Sequence, residues 1–501
     1  MANHKKAKAG KQKAATAIGK SSLSKINHIV VVMLENRSFD HMLGFLYQAS
    51  NNVSPLGQPF EGLKGNETNA DTSGKAVAVF PIKPSAPHAY LMPGANPGEG
   101  YLNTNSELFG TQDAPSPIAP ASNNGFVTNF AYTLGWEGKD PGSVIAGTQP
   151  SAIMGMYTPA TLPILSKLAT GYAVCDHWYA SAPTETFPNR AFVSQATSQG
   201  FVQDKSCSVF TAPSIFTALA KKSKTWSVYG YDAPPLMRGS VADIAHAPES
   251  QFGEFADFQK AAKSGNLANY VFLEPQWGTT GNSQHPNYDV SKGEQFLHDV
   301  YYALFGTQVW NQTLLIITYD EHGGCYDHVP PPENAIPPDN SAGELDFDFK
   351  RFGVRVPTVL VSPLIAAGTV FRTKSATPFD HTSILATVEA RFGVPALTKR
   401  DAAAPNVGGV LTLQKLRTDD PLSGVKVPTS TVPPPLSAKP DKFEAAIAEH
   451  AQDLPLHDPT GNGHHHVAPV FATGEAAKEY ARQRYQQYAQ ERKSGKKPRV
   501  A

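Results

Sequence analysis

Two short runs of β-branched and apolar residues constrain this chain more than anything else in it. The first is Ile29-Val30-Val31-Val32-Met33-Leu34; the second, far downstream, is Thr313–Tyr319, TLLIITY. Neither run alternates polar with apolar residues, so neither suits a sheet with one wet face. Each reads as a strand buried on both sides, as in a parallel sheet covered by helices. Val356–Val361 (VPTVLV) is a third such run. Helical patterns stand beside them: Phe39, Met42, Leu43 and Leu46 share one face after the cap-type residues ENRS. From Lys292, KGEQFLHDVYYALFGTQVW reads as a long amphipathic helix, and HTSILATVEARFG as another. Shorter signals predict helices over Pro159–Thr170, Ser214–Lys222 and 251–263, and strands at TWSVYGY and NYVFL. Strand and helix alternating at this scale predict an α/β fold, with a central mostly parallel sheet flanked by helices.

Between the first two runs the chain is rich in glycine and proline, 40 and 42 residues in all, and only 17% of it is charged. Residues 50–150 therefore read as a long loop-rich insertion that shapes a site rather than as a linker. Residues 1–24, with their lysines and alanines, read as a flexible basic tail; 25–425 form the main domain. A Pro-rich connector and a C-terminal helical extension follow over 426–501. In that extension DKFEAAIAEH reads as a short capped helix. Tyr480, Arg484 and Tyr488 mark one face of a docked helix, while GNGHHHV carries no reading. Lys+Arg and Asp+Glu are equal at 43, which argues against a dedicated nucleic-acid binder. No run of eighteen apolar residues appears, which excludes a membrane-spanning helix. Three cysteines are too few for a disulfide scaffold. The seven lysines in the first 25 residues are followed by no apolar segment, so no secretory signal is read and the cytoplasm is the default expectation.

Both strong strands run into ionisable clusters. After Leu34 come Glu35 and Asn36; after Tyr319 come Asp320, Glu321, His322, Gly323 and Gly324, then Tyr326, Asp327 and His328. In an open α/β sheet, ligands bind beyond the carboxyl ends of the strands. Three carboxylates gathered there repel one another unless a cation sits among them, and oxygen donors suit Mg, Ca, Mn or Zn. Glu35-Asn36-Arg37-Ser38 alone would pass for ordinary helix capping. The DEHGGCYDH stretch resists that reading, because so many desolvation-sensitive groups directly follow a buried strand. A third piece, Thr184-Glu185-Thr186-Phe187-Pro188-Asn189-Arg190, resembles a turn, yet supplies hydroxyls that a metal or base could activate. His285, His322 and His328 are candidates for a site. His177 and His246 read as structural or exposed, and His381 as a helix cap or a brace.

Taken together, NHIVVVMLENRSFDHMLGF, TFPNR, QHPNYD, TYDEHGGCYDHVPPP and FDHTSILATVEARFG resemble the phosphoesterase family over about residues 26–395. That family holds bacterial phospholipases C and a class of acid phosphatases within the alkaline-phosphatase-like superfamily. The resemblance implies metal-dependent phosphoryl transfer through a covalent phospho-enzyme. It places a divalent metal on Glu35, Asn36, Thr186, Asp320 and Glu321, with Thr186 as nucleophile and Thr184 as the fallback. It implies His285, His322 and His328 near the phosphate as donors, and Asn189, Arg190 and Asp327 in substrate binding. The larger phospholipases C carry β-rich modules where this chain has a Pro-rich connector. That tilts the expectation toward an acid phosphatase working through phosphothreonine, with phospholipase C as the alternative and a small phosphate ester or phospholipid headgroup as substrate. Related enzymes are often exported. A catalytically idle metal- or polyanion-binding protein ranks lower, as does a sulfatase, because no Cys-x-Pro-x-Arg arrangement is present.

Overall fold

The computed structural model describes residues 22–139, 143–204, 210–434, 439–454, 456 and 470–494. Eight strands form the central sheet: β1 His28–Leu34, β2 Ala173–Cys175, β3 Trp226–Gly230, β4 Phe252–Glu254, β5 Tyr270–Leu273, β6 Thr313–Tyr319, β7 Thr358–Val361 and β8 Thr369–Val370. Their spatial order is β8-β2-β7-β6-β1-β5-β3-β4. Every neighbouring pair is parallel except those made by β7, which runs antiparallel to β6 and β2. The fold is α/β.

The two apolar runs are the centre of the sheet and lie side by side. β1 and β6 pair along their whole length, from His28 opposite Thr313 to Leu34 opposite Tyr319. All of β6 is buried, as is β1 from Ile29 onward. Burial on both faces explains the unbroken hydrophobic runs, and each such side chain contributes about 1.5–3 kcal/mol. Pairing without stagger has a direct consequence. The residues after Leu34 and those after Tyr319 leave the sheet at the same edge.

Several elements differ from the sequence expectation. Residues 252–254 form the edge strand β4, and the helix begins only at Phe255, where Glu254 and Asp257 make a capping box. The helix after Pro159 runs over Pro163–Gly171, and the long amphipathic helix over Val290–Leu304. The 50–150 stretch is not all loop. It holds the helices Tyr101–Phe109 and Phe126–Glu137, whose Leu108, Phe126, Val127 and Phe130 make a second core with Phe45, Leu63, Met154 and Tyr326. Asn, Thr and Ser between these apolar positions dilute the helical signal.

At the amino end, Ser22 is already buried, and its N–H donates to Leu411 O at 3.2 Å. Ordered packing thus begins within the stretch read as tail, whose first 21 residues lie outside the described ones, as does GNGHHHV. The C-terminal helices Lys442–Gln452 and Gly474–Lys493 pack on each other. The second buries Ala477, Ala481, Tyr485 and Tyr488, so of the expected face only Tyr488 is fully buried. Phe443, Ala446 and Ile447 of the first join Phe187, Leu236 and Trp277 of the main body in one cluster.

Candidate active site

Because β1 and β6 end together, Glu35-Asn36 and Asp320-Glu321 share one buried crevice. Asn36 is its hub. Its backbone is left-handed (φ 50°), and its N–H donates to Asp320 Oδ1 at 3.0 Å. Its side-chain Nδ2 faces three acceptors: Glu99 Oε2 at 2.9 Å, Thr186 Oγ1 at 3.2 Å, and Glu321 Oε1. The glycine pair makes this approach possible. Gly323 has φ 60°, and a Cβ there would stand 2.1 Å from Asn36 O.

Thr186 opens the helix Thr186–Gln195 and is fully buried. Asn189 braces the loop before it. Its Oδ1 accepts from Ala182 N at 3.0 Å, and its Nδ2 faces Ala182 O, Thr184 O and Glu185 O at 3.0–3.2 Å. Both ends of the Asn189 amide are thus engaged by backbone. The hydroxyl of Thr184 likewise bonds Val202 O, leaving Thr186 as the residue that faces Asn36. Arg190, one turn on, donates through Nε to Asp320 Oδ2 at 3.0 Å and through Nη2 to Met33 O and Leu34 O. Its Nη1 is buried without a partner.

The electrostatics are those of crowded, desolvated acids. Burial pushes the Glu35 carboxyl up to about 7 and Glu321 up to about 8, and it raises Asp320 as well. Burial opposes charge on the histidines too, but their acidic partners outweigh it. Glu99 and Glu35 hold His285 up to about 9, and Glu107 and Glu321 hold His322 up to about 10. His322 is locked: Nε2 meets Glu107 Oε2 at 2.7 Å, and Nδ1 lies 3.3 Å from Glu321 Oε2. His285 Nε2 lies 3.7 Å from Glu99 Oε2. His381 is the brace of the strand end, its Nε2 donating to Asp320 O at 2.6 Å, and it makes no side-chain cap of its helix.

Both carboxylate oxygens of Glu35 and the Oδ1 of Asn36 are buried without a hydrogen-bond partner. Orphaned oxygens beside further carboxylates and a hydroxyl are the donor set a hard divalent cation takes up. The residues fit such an ion.

Asp327 and His328 stand elsewhere. Asp40, Asp327 and His328 are close enough together to hold a metal ion. A guanidinium is already among them, however. Arg355 donates to Asp40 Oδ1 at 2.9 Å and to Asp327 Oδ1 at 3.0 Å, and His328 Nδ1 meets Asp40 Oδ2 at 2.6 Å. Asp327 accepts from Arg355 and from the backbone N–H groups of Asp40 and Val329. The remaining histidines are peripheral: His177 is partly exposed near Glu61, and His246 Nδ1 pairs with Tyr488 OH at 3.2 Å.

Sequence reasoning missed Glu99, Glu107, Asp204 and Lys442. Lys442 Nζ lies 2.6 Å from both Glu99 Oε1 and Asp204 Oδ2. A cavity of about 340 Å³ opens beside this group, lined by Glu99, Asn103, Glu185 and the exposed rings of Tyr132 and Trp136.

Residues 26–395 match the Phosphoesterase family. Over 457 residues the chain is 33% identical to non-specific phospholipase C4 of Arabidopsis thaliana, covering 88% of this chain and 80% of that protein. Phospholipase C B of Mycobacterium tuberculosis is 27% identical over 434 residues, 74% of each chain. A solved protein of the alkaline phosphatase superfamily from Vibrio parahaemolyticus aligns over 48% of this chain and 64% of that one, at 13% identity and a TM-score of 0.28. The chain belongs to the phosphoesterase family, and it is a hydrolase of phosphoric esters.

Proposed function

We propose that this phosphoesterase is a phospholipase C-type phosphodiesterase that works through a phosphothreonine at Thr186. The observation that carries the reading is the Asn36 amide, which joins the Thr186 hydroxyl to Glu321 and Glu99 at the shared strand edge. The names of its relatives point to a diester substrate, and so does the cavity beside Glu99 and Glu185, which leaves room for a second ester substituent.

Glu35, Asn36, Thr186, Asp320 and Glu321 would hold a divalent cation. When bound, such an ion lowers the charge on the hydroxyl oxygen and screens the phosphate. The other steps belong to the chain. Asn36 orients Thr186 Oγ, and Arg190 fixes Asp320 while its free Nη1 remains a donor for the transferred group. Thr186 Oγ attacks phosphorus in line, its hydroxyl proton passing to the Glu321 carboxylate that shares the Asn36 amide with it, as the bond from phosphorus to the leaving oxygen breaks. His285, kept protonated by Glu99 and Glu35, gives its proton to the departing alkoxide. Water then attacks from the vacated side, giving a proton to the now neutral His285, and the phosphoryl group leaves Thr186, whose oxygen takes back its proton.

A second reading is an acid phosphatase. Complete burial of Thr186 favours it, because a small monoester reaches such a hydroxyl most easily. Hydrolysis of p-nitrophenyl phosphate, bis-p-nitrophenyl phosphate and p-nitrophenyl phosphorylcholine, with metal-depleted and metal-restored protein, decides between them. Preference for the two diesters is expected, and preference for the monoester establishes the phosphatase. Thr186→Val abolishes turnover and phospho-enzyme on either reading. Retained turnover in that variant refutes the nucleophile.

A further inference from the structure

The C-terminal helix Lys442–Gln452 reaches into the site described above. Its first residue, Lys442, bridges two carboxylates, Glu99 Oε1 and Asp204 Oδ2, each at 2.6 Å. Each leads directly to the reacting group. The other oxygen of Glu99 accepts from Asn36 Nδ2 at 2.9 Å. The other oxygen of Asp204 accepts from Phe187 N at 2.7 Å, and Asp204 N donates to Glu185 Oε2. Glu185, the residue before the Thr186 helix, makes no side-chain cap of its own, so Asp204 supplies that cap from outside. One ammonium thus ties the hub asparagine to the amino end of the helix that carries Thr186.

The charge balance gives the tie a purpose. Glu99 is buried close to four further carboxylates, Glu107, Glu185, Asp320 and Glu321, and the Lys442 ammonium is bonded directly to it. Without the lysine, a buried carboxylate between Asn36 and Glu185 is left short of its cation and turns away, and Asn36 loses that acceptor.

The position of Lys442 does not depend on these ion pairs. The preceding Asp441 caps the helix, accepting from Phe443 N at 2.9 Å and Glu444 N at 2.8 Å, and its Oδ2 accepts from Gly278 N at 2.8 Å. Phe443 sits against Phe187 and Trp277, with ring centres 5.4 and 5.0 Å away. The Lys442 side chain itself is 38% exposed, so its loss leaves the helix docked.

We propose that Lys442 is a positioning residue for phosphoryl transfer, a clamp from the C-terminal segment that holds Glu99 and the amino end of the Thr186 helix in register with Asn36. This rests on the reading that Thr186 and Asn36 carry the chemistry, and the test separates the two. Steady-state kinetics on bis-p-nitrophenyl phosphate and thermal melting are measured for wild type, Lys442→Met, Lys442→Arg and Thr186→Val. Lys442→Met lowers kcat by roughly 10–100-fold, the range for residues that orient reacting groups. KM changes little, the melting temperature holds, and Lys442→Arg recovers most of the rate. Wild-type kcat in Lys442→Met while Thr186→Val is inactive overturns the clamp alone. A rate loss that arginine does not recover, or that comes with a large drop in melting temperature, also overturns it, because the helix would then matter only as packing. An active Thr186→Val overturns the underlying reading instead.

Discussion

Arg355 offers the sharpest test of how this protein stabilises its buried acids. Its side chain is fully buried. It donates to Asp40 Oδ1 at 2.9 Å, Asp327 Oδ1 at 3.0 Å, Glu61 O at 2.9 Å and Asp176 O at 2.8 Å. Arg355→Met keeps most of the volume but leaves Asp40 and Asp327 facing each other, with His328 as their remaining cationic neighbour. Breaking a buried pair costs about 3–5 kcal/mol, and the loss here falls in the upper part of that range because two carboxylates and two carbonyls lose their donor. The pH dependence gives the reasoning its edge. Even beside Arg355, burial and Asp40 push the Asp327 carboxyl up to about 6. Without the guanidinium Asp327 rises further, and Asp40, which burial would raise but Arg355 and His328 hold below its ordinary value, loses the main group that keeps it ionised, so the folded variant takes up protons as pH falls from 8 to 5, and its deficit shrinks. Urea unfolding of wild type and variant at pH 8 and pH 5 measures this, provided the m-value is unchanged. The expected deficit is about 5 kcal/mol at pH 8 and roughly half that at pH 5. A deficit below about 1 kcal/mol at pH 8, or one equal at both pH values, refutes the account.

Two further outcomes are expected. Gly323→Ala puts a side chain at φ 60° and 2.1 Å from Asn36 O, so it costs at least about 1–2 kcal/mol in urea unfolding and a larger share of activity, since Asn36 must move; an unaffected variant would show that the hub tolerates displacement. In the metal-free protein the raised carboxyls of Glu35 and Glu321 favour folding below their ordinary values, and that contribution is lost as pH rises through about 7 and about 8. A divalent cation competes with those protons, so calorimetry at pH 6 records proton release on binding, and affinity rises toward pH 8; pH-independent affinity would place the ion elsewhere.

The sheet is readable from sequence because its central strands are buried on both faces, which leaves only His28, Thr313 and Thr318 to interrupt long apolar runs. The other strands are shorter, and β4, three residues long and only half-buried, reads as helix from sequence. At the site, Glu35, Asn36, Asp320, Glu321 and Thr186 were readable because the first four directly follow those strands and the fifth lies in a distinctive stretch. Glu99, Glu107, Asp204 and Lys442 were not. Each owes its place to how a loop or a terminal helix folds over the crevice, and a glutamate in NPGEGY carries no local mark of burial.

Asp327 and His328 show the converse, and the reason is physical. They follow the metal-fitting acids by only a few residues, but Gly323 and Gly324 both take positive φ and turn the chain toward Asp40 and Arg355. What separates the two acidic groups is therefore not their density of carboxylates but the cation that answers them. Around Asp40 and Asp327 the chain supplies its own, a fixed guanidinium that fills their hydrogen-bonding capacity. Around Glu35 and Asn36 three oxygens are left with no donor from the protein, while Arg190 and Lys442 hold their neighbours in place. A buried acid cluster that the chain neutralises itself is structural. One left short of donors, beside a hydroxyl at the head of a helix, is where an ion and a phosphate can enter.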